Sequence, residues 1–410
     1  MKEWLRTTLE ALNLVDTMEQ PDGFTRLGYS KEETASMNVF RDVAETLGLS
    51  VQRDRAGNLF ARWEGETSQV IMTGSHLDTV ENGGGYDGVA GVLCGLGAVK
   101  ALKDRGFKPH HSIEVACFAS EESARFGVST LGSKCVAGIL DKSVENVRDQ
   151  RGVSIKEAVE SMGLNWSSVE KAERSREEIL SFIELHIEQG TQIEDHAAQF
   201  GIVRGVACPI RLKVKVEGMA GHTGTTPMGK RADALVALAP LITFVSQEAE
   251  KLSSQSQKPL VATVSTMNVK PNVMNVIPGD AEAGIDIRSV DDDLKRSMAD
   301  KIIEKCRSLE IEFNVTINIE TLVENPSILL DEKLTARVKQ AGETLGYDTF
   351  DMDSGAGHDV MNMAAKWPSA LVFIPCEKGI SHHPKEHSSL EDLYAGVEIL
   401  AEVLRQEAGE

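Results

Sequence analysis

The sequence predicts an α/β protein, in which a domain built on a mostly parallel sheet is interrupted by an inserted α+β domain of the ferredoxin-like type. Between residues 70 and 205, short apolar runs alternate with helical patterns, as in a parallel sheet covered by helices. From residue 208 polar and apolar residues alternate instead, and the first pattern returns after Asn325-Pro326. We therefore expect a first domain at residues 1–207 and 325–410 and an inserted domain at residues 208–324.

In the first domain, each predicted strand is a short apolar run. The strands are expected at residues 70–73, 112–119, 181–185 and 371–374, and the first crossover helix at residues 88–102. That helix is apolar and rich in small residues. Residues 1–16 predict an amphipathic helix with acids spread along it, unlike the apolar centre of a signal peptide.

The inserted domain is predicted to be a small unit with an antiparallel sheet. Residues 211–217 alternate polar and apolar side chains, as a half-exposed strand should. The predicted order is β-α-β-β-α-β. The strands are expected at residues 211–217, 260–269, 281–288 and 314–320, and the helices at residues 232–252 and 292–309.

Composition restricts the partners and the compartment. The 410 residues carry 43 basic and 63 acidic side chains, a net charge of −20, without a segment dense in Lys or Arg. We therefore expect no nucleic-acid partner and no anionic membrane partner. No apolar run approaches about 18 residues, so no membrane-spanning helix is expected. Six cysteines without a C-x-x-C pair indicate reduced core residues and a cytoplasmic protein.

Polar clusters follow the predicted strands, at the edge where parallel sheets bind ligands. His76 and Asp78 are two residues apart, so in an extended segment both side chains face the same way. The carboxylate could then accept the second imidazole N–H. Glu121 and Glu122 follow the next strand, where one could bind a metal while the other accepts a proton.

Taken together, the clusters indicate a metal centre. Singly, each has an ordinary explanation, such as a surface His–Asp pair or a helix-capping pair of acids. Five clusters at corresponding strand ends make those independent explanations the weaker ones. One carboxylate shared by two ions, with His and Glu ligands, suits a pair of zinc-like ions. The candidate ligands are His76, Asp87, Glu122, His186 and His382.

The loop at residues 82–88 admits a second interpretation, because Gly83, Gly85 and Gly88 satisfy the G-x-G-x-x-G pattern of dinucleotide sites. In that pattern the first glycine directly follows the strand, whereas here a His-x-Asp and a turn intervene. The Asp87 carboxylate would also repel the pyrophosphate. We therefore prefer a loop that presents Asp87 at a helix N-terminus.

Two further polar clusters lie on the inserted domain. One spans residues 221–228 and contains His222, and the other spans residues 271–278 and contains Asn275. Arg288 ends a predicted strand and could hold a substrate carboxylate through two parallel hydrogen bonds. A surface ion pair would explain Arg288 equally well, so the sequence pattern leaves both open.

The order of these residues resembles the dinuclear-zinc aminoacylase and carboxypeptidase superfamily. Within it, the chain is similar to the hydantoinase/carbamoylase-type branch of N-carbamoyl-L-amino-acid hydrolases, allantoate amidohydrolases and β-ureidopropionases. His186, where peptidase relatives usually have a carboxylate, favours that branch. The resemblance covers essentially the whole chain. Its motifs are T-R-L at 25–27, H-I-E-Q-G at 186–190, G-H-T-G-T-T-P-M at 221–228, P-N-V-M-N-V-I-P-G at 271–279, S-G-A-G-H-D at 354–359 and G-I-S-H-H-P-K-E at 379–386.

The resemblance implies a role for each candidate residue. Asp87 would bridge two ions, Glu121 would be the general base, and Asp78 would support the ligands from behind. His222 would assist the oxyanion, often across a dimer. His382 is preferred to His383 because it fits the register of the motif. The other implied residues are the metal ligands His76, Glu122 and His186 and the substrate-binding residues Gln189, Asn275, Arg288 and His358.

The resemblance also implies a function. We expect a zinc-hydrolase-type catalytic domain that cleaves the carbamoyl (ureido) C–N bond of an N-carbamoyl-L-amino acid or an allantoate-like substrate, releasing ammonia and carbon dioxide. Two divalent ions would be the cofactors, Zn²⁺ first, with Mn²⁺, Co²⁺ or Ni²⁺ as alternatives. The substrate would be small and carry a carboxylate, and the inserted domain would act as a lid and as the interface of a homodimer.

Other functions are weighed against this one. An N-acyl-amino-acid hydrolase or a dipeptidase could use the same dinuclear scaffold. A metal-stabilised binding protein without activity is disfavoured because Glu121 offers a base beside a full set of ligands. A dinucleotide-dependent oxidoreductase is disfavoured by the position of the glycine loop.

Overall fold

The computed structural model describes residues 1–13 and 22–409. The chain forms two compact units: Gly205–Leu329 is the inserted unit, and the chain before and after that segment makes up the first unit. The predicted N-terminal helix is present, although its expected residues 14–16 lie outside the described part of the chain. Among the described residues, no helix is both long enough and apolar enough to cross a bilayer.

The elements are numbered in chain order. The strands are β1 Ser50–Arg53, β2 Leu59–Trp63, β3 Thr67–His76, β4 His111–Phe118, β5 Ile179–Ile187, β6 Phe200–Val206, β7 Ile210–Glu217, β8 Gly221–His222, β9 Val261–Lys270, β10 Val276–Ile277, β11 Asp280–Arg288, β12 Thr316–Glu324, β13 Ile328–Leu329, β14 Thr349–Ser354 and β15 Ser369–Ile374. The helices are α1 Lys2–Asn13, α2 Lys31–Thr46, α3 Val89–Asp104, α4 Leu131–Ala137, α5 Ile155–Ser161, α6 Gln192–Asp195, α7 Ala234–Ser254, α8 Asp292–Phe313, α9 Glu332–Thr344, α10 Val360–Ala364 and α11 Leu390–Gly409.

The sheet of the first unit has a parallel centre and antiparallel flanks. Its strand order is β1-β2-β4-β3-β5-β15-β6, and β14 also pairs with β6. Among the described strands of this unit, the parallel pairs join β4, β3, β5 and β15. The flanks pair antiparallel. For β1 and β2 the cause is the short turn at residues 54–58, since a turn of this length joins antiparallel strands only. The parallel part of the prediction therefore holds at the centre, where the site lies.

The predicted strands of the first unit are confirmed. β3, β5 and β15 run further than their apolar stretches, whereas β4 keeps the predicted length and begins and ends one residue earlier. β3 continues through Gly74 and Ser75 to His76, because its parallel pairing with β4 persists until His76 lies opposite Phe118. Hydrogen bonding to the neighbouring strand, rather than side-chain hydropathy, sets where β3 ends. This extension carries His76 to the carboxyl edge of the sheet.

Small residues let helix α3 lie directly on the strands. A Cβ at Gly91 would come within 2.2 Å of the carbonyl oxygen of Leu185, and one at Gly95 within 3.0 Å of Val115. Since protein interiors have no room for such overlaps, larger side chains here would push the helix off the sheet. The close packing places the N-terminus of α3 at the same edge as His76.

The inserted unit is an antiparallel four-stranded sheet with two helices. Its strand order is β12-β7-β11-β9, and α7 and α8 pack on it in the predicted β-α-β-β-α-β sequence. Strand β7 alternates as expected: Leu212, Val214 and Val216 are buried, while Arg211 and Lys215 are exposed. The period-two pattern therefore reports a sheet with one covered face.

A buried lysine joins the segments by which the chain enters and leaves the inserted unit. Lys295 of α8 is 1% exposed. Its Nζ donates to the carbonyl of Cys208 at 2.7 Å, the carbonyl of Asn325 at 3.0 Å and the hydroxyl of Ser327 at 2.8 Å. Asp292 lies 2.9 Å away and balances the charge. A buried ammonium with this many partners fixes the two segments against each other.

Candidate metal centre

The candidate ligands lie at the carboxyl edge of the parallel strands. β3 ends at His76, and β5 carries His186 one residue before its end. β4 ends at Phe118, and the chain reaches Glu121 and Glu122 just beyond it. The carboxyl ends of parallel strands meet at one edge of a sheet, so three segments distant in sequence bring these four side chains together.

Asp87 lies at the centre of the site. Its Oδ1 is 3.0 Å from Nε2 of His186 and 3.5 Å from Nε2 of His76. Its Oδ2 is 3.1 Å from Nε2 of His382, which is also 3.2 Å from Oε1 of Glu122. The side chains thus form two groups that could each hold an ion, and both groups include Asp87. A carboxylate whose two oxygens face different groups suits a bridging ligand.

Backbone carbonyls orient the two strand-end histidines. Nδ1 of His76 lies 3.0 Å from the carbonyl oxygen of Asp78, and Nδ1 of His186 lies 2.9 Å from that of Ile187. A carbonyl only accepts, so the proton of each ring sits on Nδ1. Nε2 of both rings therefore faces Asp87, and Nε2 of His186 also accepts the backbone N–H of Gly88 at 3.1 Å.

Gly88 allows Asp87 to approach His76. Its φ of +66° is a conformation that side chains disfavour, and a Cβ there would lie 2.5 Å from the His76 ring. Glycine is required at this position for both reasons. The loop therefore delivers Asp87 at the start of α3, the arrangement preferred from the sequence.

Asp78 acts on the acidic loop more directly than on His76. Its Oδ1 accepts the N–H of Glu121 at 3.0 Å, and its Oδ2 accepts the N–H of Glu122 at 2.9 Å. The Oδ1 atom is 3.4 Å from Nδ1 of His76, further than the carbonyl of Asp78 itself. The spacing predicts a contact with the imidazole but not the two bonds that orient Glu121 and Glu122.

Glu121 and Glu122 face different parts of the centre. Glu122 belongs to the group with His382, whereas Oε2 of Glu121 lies 3.7 Å from Nε2 of His76, outside both groups. Burial raises the pKa of Glu121 well above its ordinary value, although His76 opposes the rise. A carboxylate with a raised pKa is a stronger base near neutral pH. The geometry thus separates a candidate ligand from a candidate base.

The two adjacent histidines of the C-terminal cluster differ in position. His382, with a left-handed φ of 54°, points its Nε2 at Asp87 and Glu122. Nδ1 of His383 instead accepts the backbone N–H of Lys385 at 3.1 Å, in an exposed turn. Of the two, only His382 is in a candidate metal-binding group.

The charges of the centre suit cations. Hydrogen bonds from His382 to Asp87 and Glu122 raise the pKa of that histidine to about 10. Burial would raise the pKa of Asp87, but the surrounding histidines, His186 first, hold it well below its ordinary value. The proton on His382 thus lies between the imidazole and the carboxylates, where a metal ion would bind. Imidazole nitrogens and carboxylate oxygens are ligands of Zn²⁺ and neighbouring divalent metals, so the residues present fit two such ions.

Gln189 and His358, predicted to bind substrate, both touch the ligands. Nε2 of Gln189 donates to Oδ2 of Asp87 at 2.8 Å, and this glutamine has a left-handed φ of 59°. His358 is 2% exposed and its ring lies 4.4 Å from that of His186. Burial lowers the pKa of His358 well below its ordinary value, so this ring is neutral. His358 thus contacts the imidazole of His186, a candidate metal ligand.

In the inserted unit, His222 and Asn275 lie side by side. β8 and β10 form a two-stranded ladder in which His222 faces Val276, and the N–H of Thr223 donates to the carbonyl of Asn275 at 3.3 Å. Both His222 and Asn275 are exposed. Residues 53 positions apart in the sequence therefore present their side chains from one small ladder.

Arg288 lies at the far end of β11 from this ladder. Its Nε donates to Oδ1 of Asp286 at 2.8 Å, and Asp286 also accepts from Arg211 at 2.8 Å. The ion pair considered from the sequence is therefore present. The side chain of Arg288 remains 27% exposed, so the same guanidinium can also meet a ligand.

Two buried carboxylates of the site have no predicted role. Glu386 accepts hydrogen bonds from the loops that carry Asp87 and His382. Glu33 of α2 accepts the N–H of Ser120, the residue before the acidic pair, at 2.7 Å. Glu386 ends the G-I-S-H-H-P-K-E motif, which is the sequence signal for its role. The bond between Glu33 and Ser120 has no such local signal, because it joins residues 87 positions apart.

The glycine loop is filled by protein groups. A Cβ at Gly84 would come within 2.4 Å of the Glu386 side chain, and one at Gly85 within 2.6 Å of Asn13. A carboxylate thus packs against the loop where a dinucleotide would place its pyrophosphate. The packing supports the interpretation in which the loop presents Asp87.

The fold and the site define a class of protein: a hydrolase built on a mostly parallel α/β sheet, with two candidate metal-binding groups that share one carboxylate. The model of peptidase family M20/M25/M40 matches residues 72–406. The chain belongs to this family, and the resemblance drawn from its motifs is confirmed.

Relatives within the family are similar over their full length. The chain is 35% identical over 392 residues to an N-carbamoyl-L-amino acid amidohydrolase of Geobacillus stearothermophilus, covering 95% of each chain. It is 33% identical over 387 residues to the allantoate amidohydrolase of Escherichia coli K12, covering 94% of this chain and 93% of the relative. The solved structure of a hydantoinase/carbamoylase family amidase from Burkholderia multivorans matches with a TM-score of 0.91 at 28% identity, covering 100% and 98%.

We predict that Asp87→Ala abolishes binding of both ions, because its carboxylate is common to both groups. His382→Ala should retain one ion per chain, since His76, Asp87 and His186 remain. His383→Ala is the matched control and should retain two. The measurement is metal content by mass spectrometry after Zn²⁺ loading and desalting. Two ions bound to the Asp87→Ala variant would contradict the shared-carboxylate arrangement.

Proposed function

We propose that this chain is a metal-dependent amidohydrolase that cleaves the carbamoyl C–N bond of an N-carbamoyl-L-amino acid or an allantoate-like substrate. One observation carries the proposal: Asp87 faces two ligand groups while Glu121 lies beside them as an unassigned carboxylate. Full-length relatives named for both substrates support it at similar identity. That similarity favours the reaction class over either substrate.

We propose Zn²⁺ as the metal, held by His76, Asp87 and His186 in one position and by Asp87, Glu122 and His382 in the other. Manganese, cobalt and nickel ions accept the same donors, and availability often decides between them. When bound, such ions lower the pKa of a water molecule and polarise the substrate carbonyl.

Glu121 would move the proton. It removes a proton from the attacking water and returns it to the nitrogen that leaves the carbonyl carbon. Asp78 would hold Glu121 in place through the backbone, and burial would keep its carboxyl a strong base. For an N-carbamoyl amino acid, the products are the amino acid, carbon dioxide and ammonia.

The inserted unit would supply the groups that recognise the substrate. Arg288 and Asn275 would hold its carboxylate, and His222 would donate a hydrogen bond to the developing oxyanion. Gln189 and His358, which touch Asp87 and His186, would line the reacting end.

We further propose that each active site uses two subunits. The His222–Asn275 ladder precedes β11 and Arg288 ends it, so the nine residues of β11 separate them by about 26 Å. That span is far longer than a carbamoyl amino acid, which favours the two sets of one chain holding different substrate molecules. A homodimer formed through the inserted unit would let one chain supply His222 and Asn275 to a substrate held by Arg288 of the other.

A reducing compartment suits the thiols. None of the six cysteines, which all lie in the described part of the chain, forms a disulfide, and five of them are buried. Buried thiols without disulfides are typical of proteins kept in a reducing environment. We therefore propose that the protein acts in the cytoplasm.

The reaction class is tested with a substrate panel on metal-loaded protein. We expect ammonia from at least one of the N-carbamoyl-L-amino acids or allantoate, and none from N-acetyl amino acids, which lack a carbamoyl nitrogen. Colorimetric ammonia detection and amino-acid analysis distinguish the products. Turnover of N-acetyl amino acids or dipeptides alone would replace the proposal with an acylase or a dipeptidase.

Glu121→Gln should lower kcat by about 10²–10⁴-fold, because the amide cannot accept the water proton. Two metal ions should remain bound, since Glu121 belongs to neither ligand group. Glu81→Gln, an exposed acid of a neighbouring loop, is the control and should keep the wild-type rate. Steady-state kinetics and metal content of the same samples give the answer. An unimpaired Glu121→Gln enzyme would exclude Glu121 as the base.

Coexpression of two inactive variants tests the shared site. In a dimer of Glu121→Gln and His222→Ala chains, one site keeps its own Glu121 and receives His222 from the partner. Random pairing should therefore restore about a quarter of the wild-type activity. Glu121→Gln coexpressed with His382→Ala is the matched control and should restore no activity. Each site takes Glu121 and His382 from the same chain, so neither site of a mixed dimer has both residues intact. Absence of activity in the first mixture would mean that His222 acts within its own chain.

A further inference from the structure

We propose that Glu386 is a positioning residue that connects the loop carrying Asp87 to the loop carrying His382. It thereby assembles the second metal position, formed by Asp87, Glu122 and His382; the first is formed by His76, Asp87 and His186. Glu386 offers no atom to either candidate group. The proposal rests on the metal centre proposed above but is independent of the substrate.

One oxygen of Glu386 holds the Asp87 loop. Its Oε1 accepts the backbone N–H of Tyr86 and the backbone N–H of Asp87, both at 2.9 Å. Two consecutive N–H groups directed at one carboxylate oxygen fix the peptide planes on either side of Tyr86. The direction in which Asp87 leaves the main chain is therefore set by a residue 299 positions away.

The other oxygen holds the His382 loop. Its Oε2 accepts the hydroxyl of Ser381 at 3.0 Å and the backbone N–H of His382 at 3.2 Å. His382 needs this support because its φ of 54° is unfavourable for a residue with a side chain. These hydrogen bonds, donated to the carboxylate, help to maintain a backbone conformation that is otherwise unfavourable for His382.

The surroundings are shaped around this carboxylate. Glu386 is 4% exposed, so its four donors replace the water that an isolated carboxylate would require. A Cβ at Gly84 would lie 2.3 Å from Cβ and 2.4 Å from the carboxylate of Glu386. Glycine at position 84 therefore leaves the space in which Glu386 reaches the loop.

The two metal positions depend on Glu386 unequally. In the first position only Asp87 lies on a loop that Glu386 holds, because His76 and His186 belong to strands paired within the sheet, whereas in the second both Asp87 and His382 lie on such loops. His382 lies in a loop after β15, and the bonds from Glu386 connect its backbone to the Asp87 loop. Loss of the carboxylate should therefore weaken the position formed by Asp87, Glu122 and His382 first.

The test is Zn²⁺ titration of Glu386→Gln by calorimetry, without substrate. Glutamine keeps the size of the side chain but places an NH₂ group against donors, so one of the two loops loses its acceptor. Wild-type protein should bind two ions per chain. The variant should bind the second ion about 10–100-fold more weakly, the usual cost of losing a residue that supports metal ligands. It should bind the first ion with a smaller loss of affinity, because only one of that ion's ligands, Asp87, lies on a loop that Glu386 holds.

Glu114→Gln is the control for loss of a buried carboxylate. Glu114 lies on β4, is 3% exposed, and binds Arg62 and Arg174 instead of the centre. That variant should bind both ions as the wild type does. Two ions bound to Glu386→Gln at wild-type affinity would overturn the proposal, whereas a wild-type protein that binds no ion would instead refute the metal centre itself.

Gly84→Ala provides a second test that leaves the carboxylate in place. The added methyl group should displace Glu386 and weaken binding of the second ion more than that of the first, whereas Gly229→Ala, where a Cβ would meet no atom within 4 Å, should change nothing. If Glu386→Gln fails to fold, Gly84→Ala decides the matter. Wild-type binding of both ions by Gly84→Ala would then exclude the positioning role.

Discussion

Carboxylates buried side by side require opposite charge or donated N–H groups at each of them, and the site is organised by this requirement. Asp78 and Glu386 have their oxygens occupied by backbone N–H groups or a hydroxyl, so they orient loops. Asp87 and Glu122 face imidazole nitrogens instead, so their charge can be met by cations. The partner of each acid, and not its residue type, separates supporting residues from candidate ligands.

Much of the fold and of the ligand set could be predicted from the sequence because both depend on local patterns. An apolar run marks each central strand, and the polar residues after it must lie at the carboxyl edge. His76 and Glu122 were found in this way, from positions a few residues beyond an apolar run. His382 belongs to a polar cluster that follows the strand ending at Ile374 less closely, and its choice over His383 rested on the register of a family motif.

The remainder could not be predicted because it depends on contacts between distant segments. Glu33 sits in an amphipathic helix like any surface acid, and only the folded chain brings it to Ser120. The bonds from Asp78 to the acidic pair require the register of β3 against β4, which hydropathy does not encode. The antiparallel flanks were missed for the same reason, because an apolar run predicts a strand but not the direction of its neighbour.

Lys295 joins the segments by which the chain enters and leaves the inserted unit, and this connection affects how the sequence can change in evolution. The N–H of Asn325 donates to the carbonyl of Pro209, and residues 328 and 329 pair with residues 206 and 205. The inserted unit therefore leaves and returns through a paired stalk, like the stem of a long hairpin. Segments with adjacent ends can be exchanged, enlarged or removed while the host chain keeps its path. Under the proposed function, the substrate-binding residues of the inserted unit can therefore change while the proposed metal ligands keep their positions.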